Sequence, residues 1–132
     1  MFDKVFIVIA INSEKDRRIE PEIMKGLIEQ VMIDESITEV EVEVCHDLVV
    51  RFAEKRNADY IVRGLRNITD FQYEEDIAEF NKGRCSYIET IYVRADDSSI
   101  SSSMVMELRK YGEDVSEYLP NAIDEYFSKN NN

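Results

Sequence analysis

The chain has 132 residues, enough for one domain with a sizeable core and too few for two. Lys and Arg number 16 against 28 Asp and Glu, a formal net charge of -12. The averaged surface therefore repels polyanions and argues against nucleic-acid binding, so any functional cations must be local. Cys45 and Cys85 lack CxxC spacing and His46 is the single histidine, which disfavours a metal framework and reads as reduced thiols in a cytoplasmic protein. No apolar run is long enough to span a membrane, and Met1-Phe2-Asp3-Lys4-Val5 lacks the basic region of a signal peptide. One soluble, cytoplasmic domain over 1–132 is expected.

Lys4 to Ile11 is almost continuously apolar and β-branched, which predicts a strand covered on both faces. A polar stretch with Lys15, Arg17 and Arg18 follows. Pro21 then sits where a first helical turn tolerates it, and Ile23, Leu27, Ile28, Val31 and Met32 recur at helical spacing to about Asp34. Glu39 to Val44 alternates acid and valine, the pattern of an edge strand with one wet face. Asp47 is placed to cap a helix running to about Arg56, with Leu48, Val49, Phe52 and Ala53 as its apolar stripe and Asn57 closing it. Tyr60 to Val62 reads as a short buried strand. Gly64 is expected in a sharp turn at angles a side chain resists, and Thr69 or Asp70 is expected to cap a helix that reaches Asn81 before Gly83 breaks it. Ile88 to Val93 predicts another strand, Ser102 to Tyr111 a helix stopped by Gly112, and the region from Pro120 through Ile123, Tyr126 and Phe127 a last helix. Alternating strands and helices make a parallel α/β sheet the economical architecture, with right-handed crossovers.

Ligands of open α/β sheets settle beyond the carboxyl ends of the strands. Arg63 and Arg66 fall there, with Asp70, Tyr73 and Glu74 on the next helix. These residues read either as an ion-pair network across a strand end or as a cation pair for phosphates beside carboxylates suited to ribose hydroxyls. Lys15 also follows a strand's carboxyl end. Ser101, Ser102 and Ser103 at a helix start read as N-caps or as a phosphate site; one serine suffices for a cap. His46 has no nucleophile at a recognisable spacing and is expected in a core or cap role. Asp96 and Asp97 read as solvated loop.

Arg63-Gly64-Leu65-Arg66, Asp70-Phe71-x-Tyr73-Glu74, Asn81, Ile100-Ser101-Ser102-Ser103 and Gly112-x-Asp114-Val115-Ser116 occur in the same order and at matching spacing in bacterial phosphopantetheine adenylyltransferase, which the chain resembles from Phe2 to its last helix. The resemblance implies an α/β, parallel-sheet nucleotidyltransferase fold of Rossmann-like type. It implies the reaction of ATP with 4'-phosphopantetheine to give dephospho-coenzyme A and pyrophosphate in coenzyme A biosynthesis, with magnesium (Mg2+), and assembly as a homo-oligomer. By position it assigns Lys15 and Arg63 to the phosphate of phosphopantetheine and Asp47 and Leu48 to the pantetheine arm. Gly64, Arg66, Tyr73 and Glu74, with Ser101, Ser102 and Ser103, fall on the ATP side.

Two departures shape the expectation. Met106 stands where the family usually has a basic residue, with Arg109 one turn on as a partial substitute. The family's first strand, its loop of the type Gly-x-Phe-Asp-Pro-x-Thr-x-Gly-His and its first helix have no match in these residues, and that loop carries donors for the transferring phosphate. The expectation is a fold truncated at the N-terminus to about four strands with flanking helices. In it, Lys4–Ile11 and Tyr60–Val62 pair directly, and ligand binding outlasts most or all of the catalysis. The alternatives are an active adenylyltransferase completed by a preceding segment or partner chain, and a non-catalytic regulatory protein that forms mixed assemblies with a full-length relative.

Overall fold

The computed structural model describes residues 2–11, 19–65, 68–94 and 101–130, without the side chains of 68 and 69. Their elements are β1 (Val5–Ala10), α1 (Pro21–Asp34), β2 (Val40–Cys45), α2 (Val49–Lys55), β3 (Tyr60–Leu65), α3 (Ile68–Arg84), β4 (Glu89–Arg94), α4 (Ser102–Lys110), a 3-10 turn at Ser116–Tyr118 and α5 (Asn121–Lys129). The strands pair in parallel, β1 with β2 from Val5 opposite Val40 to Ala10 opposite Cys45, and β3 with β4 from Tyr60 opposite Glu89 to Leu65 opposite Arg94. This is the expected α/β class. Each pair forms a two-stranded sheet of its own, so the expected direct pairing of the first and third strands is not seen among the described residues. The two pairings seen join sequence neighbours, the usual outcome when one helical crossover separates two strands. The β1–β2 ladder is extended at both ends, by the Val5 N–H to the Glu39 carbonyl at 3.1 Å and by the Ile11 N–H to the Cys45 carbonyl at 3.0 Å.

The chain divides into two compact units, Met1–His46 with Ser102–Asn132, and Asp47–Ser101. In the first, Ile19, Ile123 and Phe127 form the core, with Met24, Leu27 and Val31 of α1 and Met106 of α4 packed on it. Ile123 and Phe127 are four residues apart and so share one face of α5, and burying each contributes roughly 1.5–3 kcal/mol. Arg109 of α4 donates to the Phe127 carbonyl and lies 4.9 Å from the Phe127 ring centroid, a cation placed at the negative end of α5. These partners make Arg109 a tie between α4 and α5. On β2, Glu41 is exposed and Val42 buried, but Glu43 and Val44 are both half-buried and Cys45 is buried on the opposite face from Val42, so the strict alternation expected holds only in part. β1 is only half-buried, with Val5 39% exposed; among the described residues it pairs on one side, with β2.

In the second unit Val50, Ala53, Cys85 and Ile88 form the core, with Ala58 and Ile61 against it. Val50 thus replaces Val49 as the inward residue of α2. Asn57 closes that helix at φ 56, a left-handed position Asn tolerates. α3 runs past Gly83 to Arg84, correcting the expected break. An interior glycine costs about 1 kcal/mol relative to alanine without stopping a helix, and Lys82 and Arg84 in the last turn favour its continuation. The expected burial of β3 is also corrected: Tyr60 and Val62 are 48% and 50% exposed, since among the described residues β4 is its one paired neighbour. Cys45 and Cys85 are buried and form no disulfide among the described residues.

Gly112 does end its helix as expected. At φ 82 it lets its own N–H reach the Arg109 carbonyl and the Glu113 N–H reach the Leu108 carbonyl, both at 3.0 Å, the paired closure of a Schellman motif. A side chain in this region costs about 1–2 kcal/mol. Gly112→Ala is therefore expected to lower the unfolding free energy by about that much in urea denaturation, and an unchanged midpoint would contradict the assignment.

Candidate anion-binding site

β3 extends to Leu65 because β4 continues to pair with it, Tyr92 opposite Arg63 and Val93 opposite Gly64. Arg63 and Gly64 therefore lie within the strand rather than in a turn after it. Gly64 does not have the positive φ expected of it; among the described glycines Gly112 does. A Cβ at Gly64 would meet nothing within 4 Å. The glycine leaves open space against the strand, a feature that suits close approach of a ligand.

Arg63 reaches across to α3. Its Nε donates to Glu74 Oε2 and its Nη2 to Glu74 Oε1, both at 2.7 Å, a two-pronged match of guanidinium and carboxylate. The Glu74 side chain is 8% exposed and that of Arg63 43%. A carboxylate so withdrawn from water carries a desolvation cost of several kcal/mol, which a well-aligned cation offsets. The hydrogen bonds that Arg63 donates to Glu74 in turn raise the Arg63 pKa above its ordinary value, against the opposing effect of burial. A guanidinium has five N–H donors, and Glu74 engages two of its nitrogens. The ion-pair reading thus has its partners in Arg63 and Glu74, and the guanidinium carries N–H groups beyond the two nitrogens that Glu74 engages. Tyr73, next to Glu74, is 63% exposed. Thr69 and Asp70 lie inside α3, which starts at Ile68, so neither is the cap expected; Asp70 instead puts an acid in the first turn, where the helix dipole favours it.

At the start of the second unit, Leu48 takes the cap position of α2 with extended backbone angles, one residue after the expected Asp47. Asp47 Oδ1 accepts the Leu48 N–H at 2.7 Å and Arg51 Nη1 at 2.9 Å. These bonds, the first above all, hold the Asp47 carboxyl below its ordinary pKa. Leu48 is 41% exposed, an apolar surface beside a fixed carboxylate. His46 is exposed after β2, not in the core. Ser101 precedes α4, while Ser102 and Ser103 open it with exposed side chains; that first turn carries no acid, so no carboxylate in the turn offsets the positive end of the dipole. Lys15, Arg66, Asp96, Asp97 and Ile100 lie outside the described residues.

The structure thus joins Arg63 to Glu74 and sets Asp47 beside Leu48 and Arg51. It also joins residues the sequence reading passed over. The Tyr92 hydroxyl donates to Glu75 Oε2 at 2.9 Å, and its ring meets Phe71 edge-on at 5.7 Å. Burial first, and then the bond to Glu75, push the Tyr92 pKa up to about 12. Glu75 and Tyr92, with Glu79, Lys82 and Glu89, line a cavity of ≈ 230 Å³ whose lining includes none of the expected site residues. The available signal was spacing: Phe71 and Glu75 stand four apart and share a helix face.

Among the described residues no three His, Cys, Asp or Glu side chains gather to hold a metal ion. Magnesium commonly takes one or two carboxylates and completes its shell with water and substrate phosphates, so the described side chains do not form a resident cage for it.

Parallel strands with helical crossovers, and a cation, Arg63, near a strand's carboxyl end, make an α/β protein of the kind that places ligands beyond its strand ends. The Cytidylyltransferase-like family model matches residues 1–108. The phosphopantetheine adenylyltransferase of Cytophaga hutchinsonii is 38% identical over 125 residues, covering 93% of this chain and 82% of its own. That of Leuconostoc citreum is 40% identical over 126 residues, covering 93% and 78%, and that of Lactobacillus acidophilus 38% identical over 123, covering 91% and 75%. The chain belongs to the phosphopantetheine adenylyltransferase family of cytidylyltransferase-like nucleotidyltransferases. No helix among the described residues is long and apolar enough to cross a membrane.

Because the Tyr92 pKa is raised, the folded protein holds that proton more tightly than the unfolded chain. Its contribution to stability is present below the ordinary tyrosine pKa of about 10 and is lost as pH rises through about 12. Replacing Tyr92 with phenylalanine is expected to flatten the fall in unfolding free energy over that range and to remove a late-forming phenolate from an alkaline absorbance titration. Identical profiles for both proteins would refute the Tyr92–Glu75 bond.

Proposed function

We propose that the protein binds ATP and 4'-phosphopantetheine, the substrates of the adenylyl transfer for which its relatives are named. The observation that carries this reading is Arg63. It is a guanidinium near the carboxyl end of a parallel strand, half-exposed yet held in a fixed orientation by Glu74. On a chain of net charge -12, such a cation is a selective place for an anion. Arg63 and Lys15 take the phosphate of phosphopantetheine, and Asp47 and Leu48 lie along the pantetheine arm. Gly64, Arg66, Tyr73 and Glu74 serve the nucleotide, with Ser101, Ser102 and Ser103 offering hydroxyls and backbone N–H groups to its phosphates. Magnesium enters with the nucleotide rather than through a cage of protein ligands.

The chemical step is a separate matter. Adenylyl transfer depends on donors fixed where charge develops, and losing one such donor costs on the order of 100- to 1000-fold. The exposed Tyr60 and Val62 on β3 support assembly with further copies or with a relative of the family, since strand edges recruit other strands.

Calorimetry with ATP, phosphopantetheine, dephospho-coenzyme A and coenzyme A is expected to give saturable heats for at least the two substrates. Binding of none of them would contradict the reading.

A further inference from the structure

We infer that Glu74 works through Arg63, as a positioning residue for a phosphate-bearing ligand, rather than as a nucleotide contact in its own right. This rests on the proposed phosphate site at Arg63 and reassigns a residue within it.

Three observations carry the inference. Each Glu74 oxygen already accepts a 2.7 Å bond from the guanidinium. The Glu74 side chain is 8% exposed against 43% for Arg63, so a ligand arriving from solvent meets the arginine first and finds little of the carboxylate to touch. The pair also spans from β3 to α3, so it sets the direction of the guanidinium relative to the strand. An unrestrained arginine carries about 2 kcal/mol of rotamer entropy, part of which must be given up on binding. Here Glu74 has already removed much of it, and Nη1 and the second Nη2 proton form the edge left for the ligand. A carboxylate waiting for ribose hydroxyls would instead need an exposed oxygen.

The test compares wild type, Glu74→Gln, Glu74→Asp and Arg63→Gln, each first checked for folding by circular dichroism, in calorimetric titrations with phosphopantetheine and with adenosine, which has no phosphate. Glu74→Gln is expected to weaken phosphopantetheine about 10- to 100-fold, the range for a charge-assisted hydrogen bond, and to leave adenosine within about twofold. Glu74→Asp, which keeps the charge one methylene further back, is expected to recover part of the loss. The double variant Glu74→Gln with Arg63→Gln is expected to bind phosphopantetheine no worse than Arg63→Gln alone. Loss of adenosine with phosphopantetheine unchanged, in either Glu74 variant that folds, would overturn the inference and leave the proposed function standing. A wild type that binds adenosine but not phosphopantetheine would overturn the phosphate assignment itself. Nitrogen-15 spectra give a readout without ligand: a slowly exchanging Arg63 Nε–H in wild type that is lost in Glu74→Gln supports the positioning role, and equal exchange in both contradicts it.

Discussion

A carboxylate drawn out of water as far as that of Glu74, 8% exposed, is tolerable only beside a positive charge with matching geometry. That requirement organises the candidate site. It draws Arg63 off β3 toward α3, fixes the plane of the guanidinium through two 2.7 Å bonds, and turns the arginine's remaining donors outward. The ion pair and the anion site are consequently one object. A carboxylate that only neutralised the arginine would work against anion binding; one that is buried behind it orients the charge while leaving its outer face for a ligand.

The surroundings follow from the geometry of parallel strands. A crossover helix must follow each strand to bring the next one alongside, so polar residues collect where strand gives way to helix. Arg63 and Gly64 end β3, and Tyr73 and Glu74 stand in the early turns of α3. The next residue, Glu75, is committed to Tyr92, which ties α3 to β4 through a second side-chain bond. Adjacent acids on α3 therefore serve different strands, Glu74 holding β3 and Glu75 holding β4. With 28 acidic residues in the chain, the distinction between a solvated carboxylate and a structural one lies in these individual partners.

Much of this was legible beforehand, for identifiable reasons. Helical spacing marked α1 and α5 and their inward residues Leu27, Val31, Ile123 and Phe127, and glycine's freedom at positive φ marked the end of α4 at Gly112. The acid–valine alternation marked β2 as an edge. Other features were hidden because they depend on partners distant in sequence. Gly64 looked like a turn until β4 was seen to continue the ladder beside it, and Gly83 looked like a stop although α3 runs through it. That β1 pairs with β2 and β3 with β4 is a choice among apolar strands that periodicity cannot rank. For the site, residue types revealed that Arg63 and Glu74 were candidates, whereas only depth revealed that Arg63 is the exposed member of the pair and Glu74 the buried one.

The central claim is that Glu74 and Arg63 act as a unit, and a double-mutant cycle in urea denaturation tests it most directly. Unfolding free energies of wild type, Arg63→Gln, Glu74→Gln and the double variant are expected to show a coupling of about 1–2 kcal/mol, reduced from that of a fully buried pair by the exposure of Arg63 and above the usual value for exposed pairs. Additive single losses, with coupling below about 0.3 kcal/mol, would contradict the account.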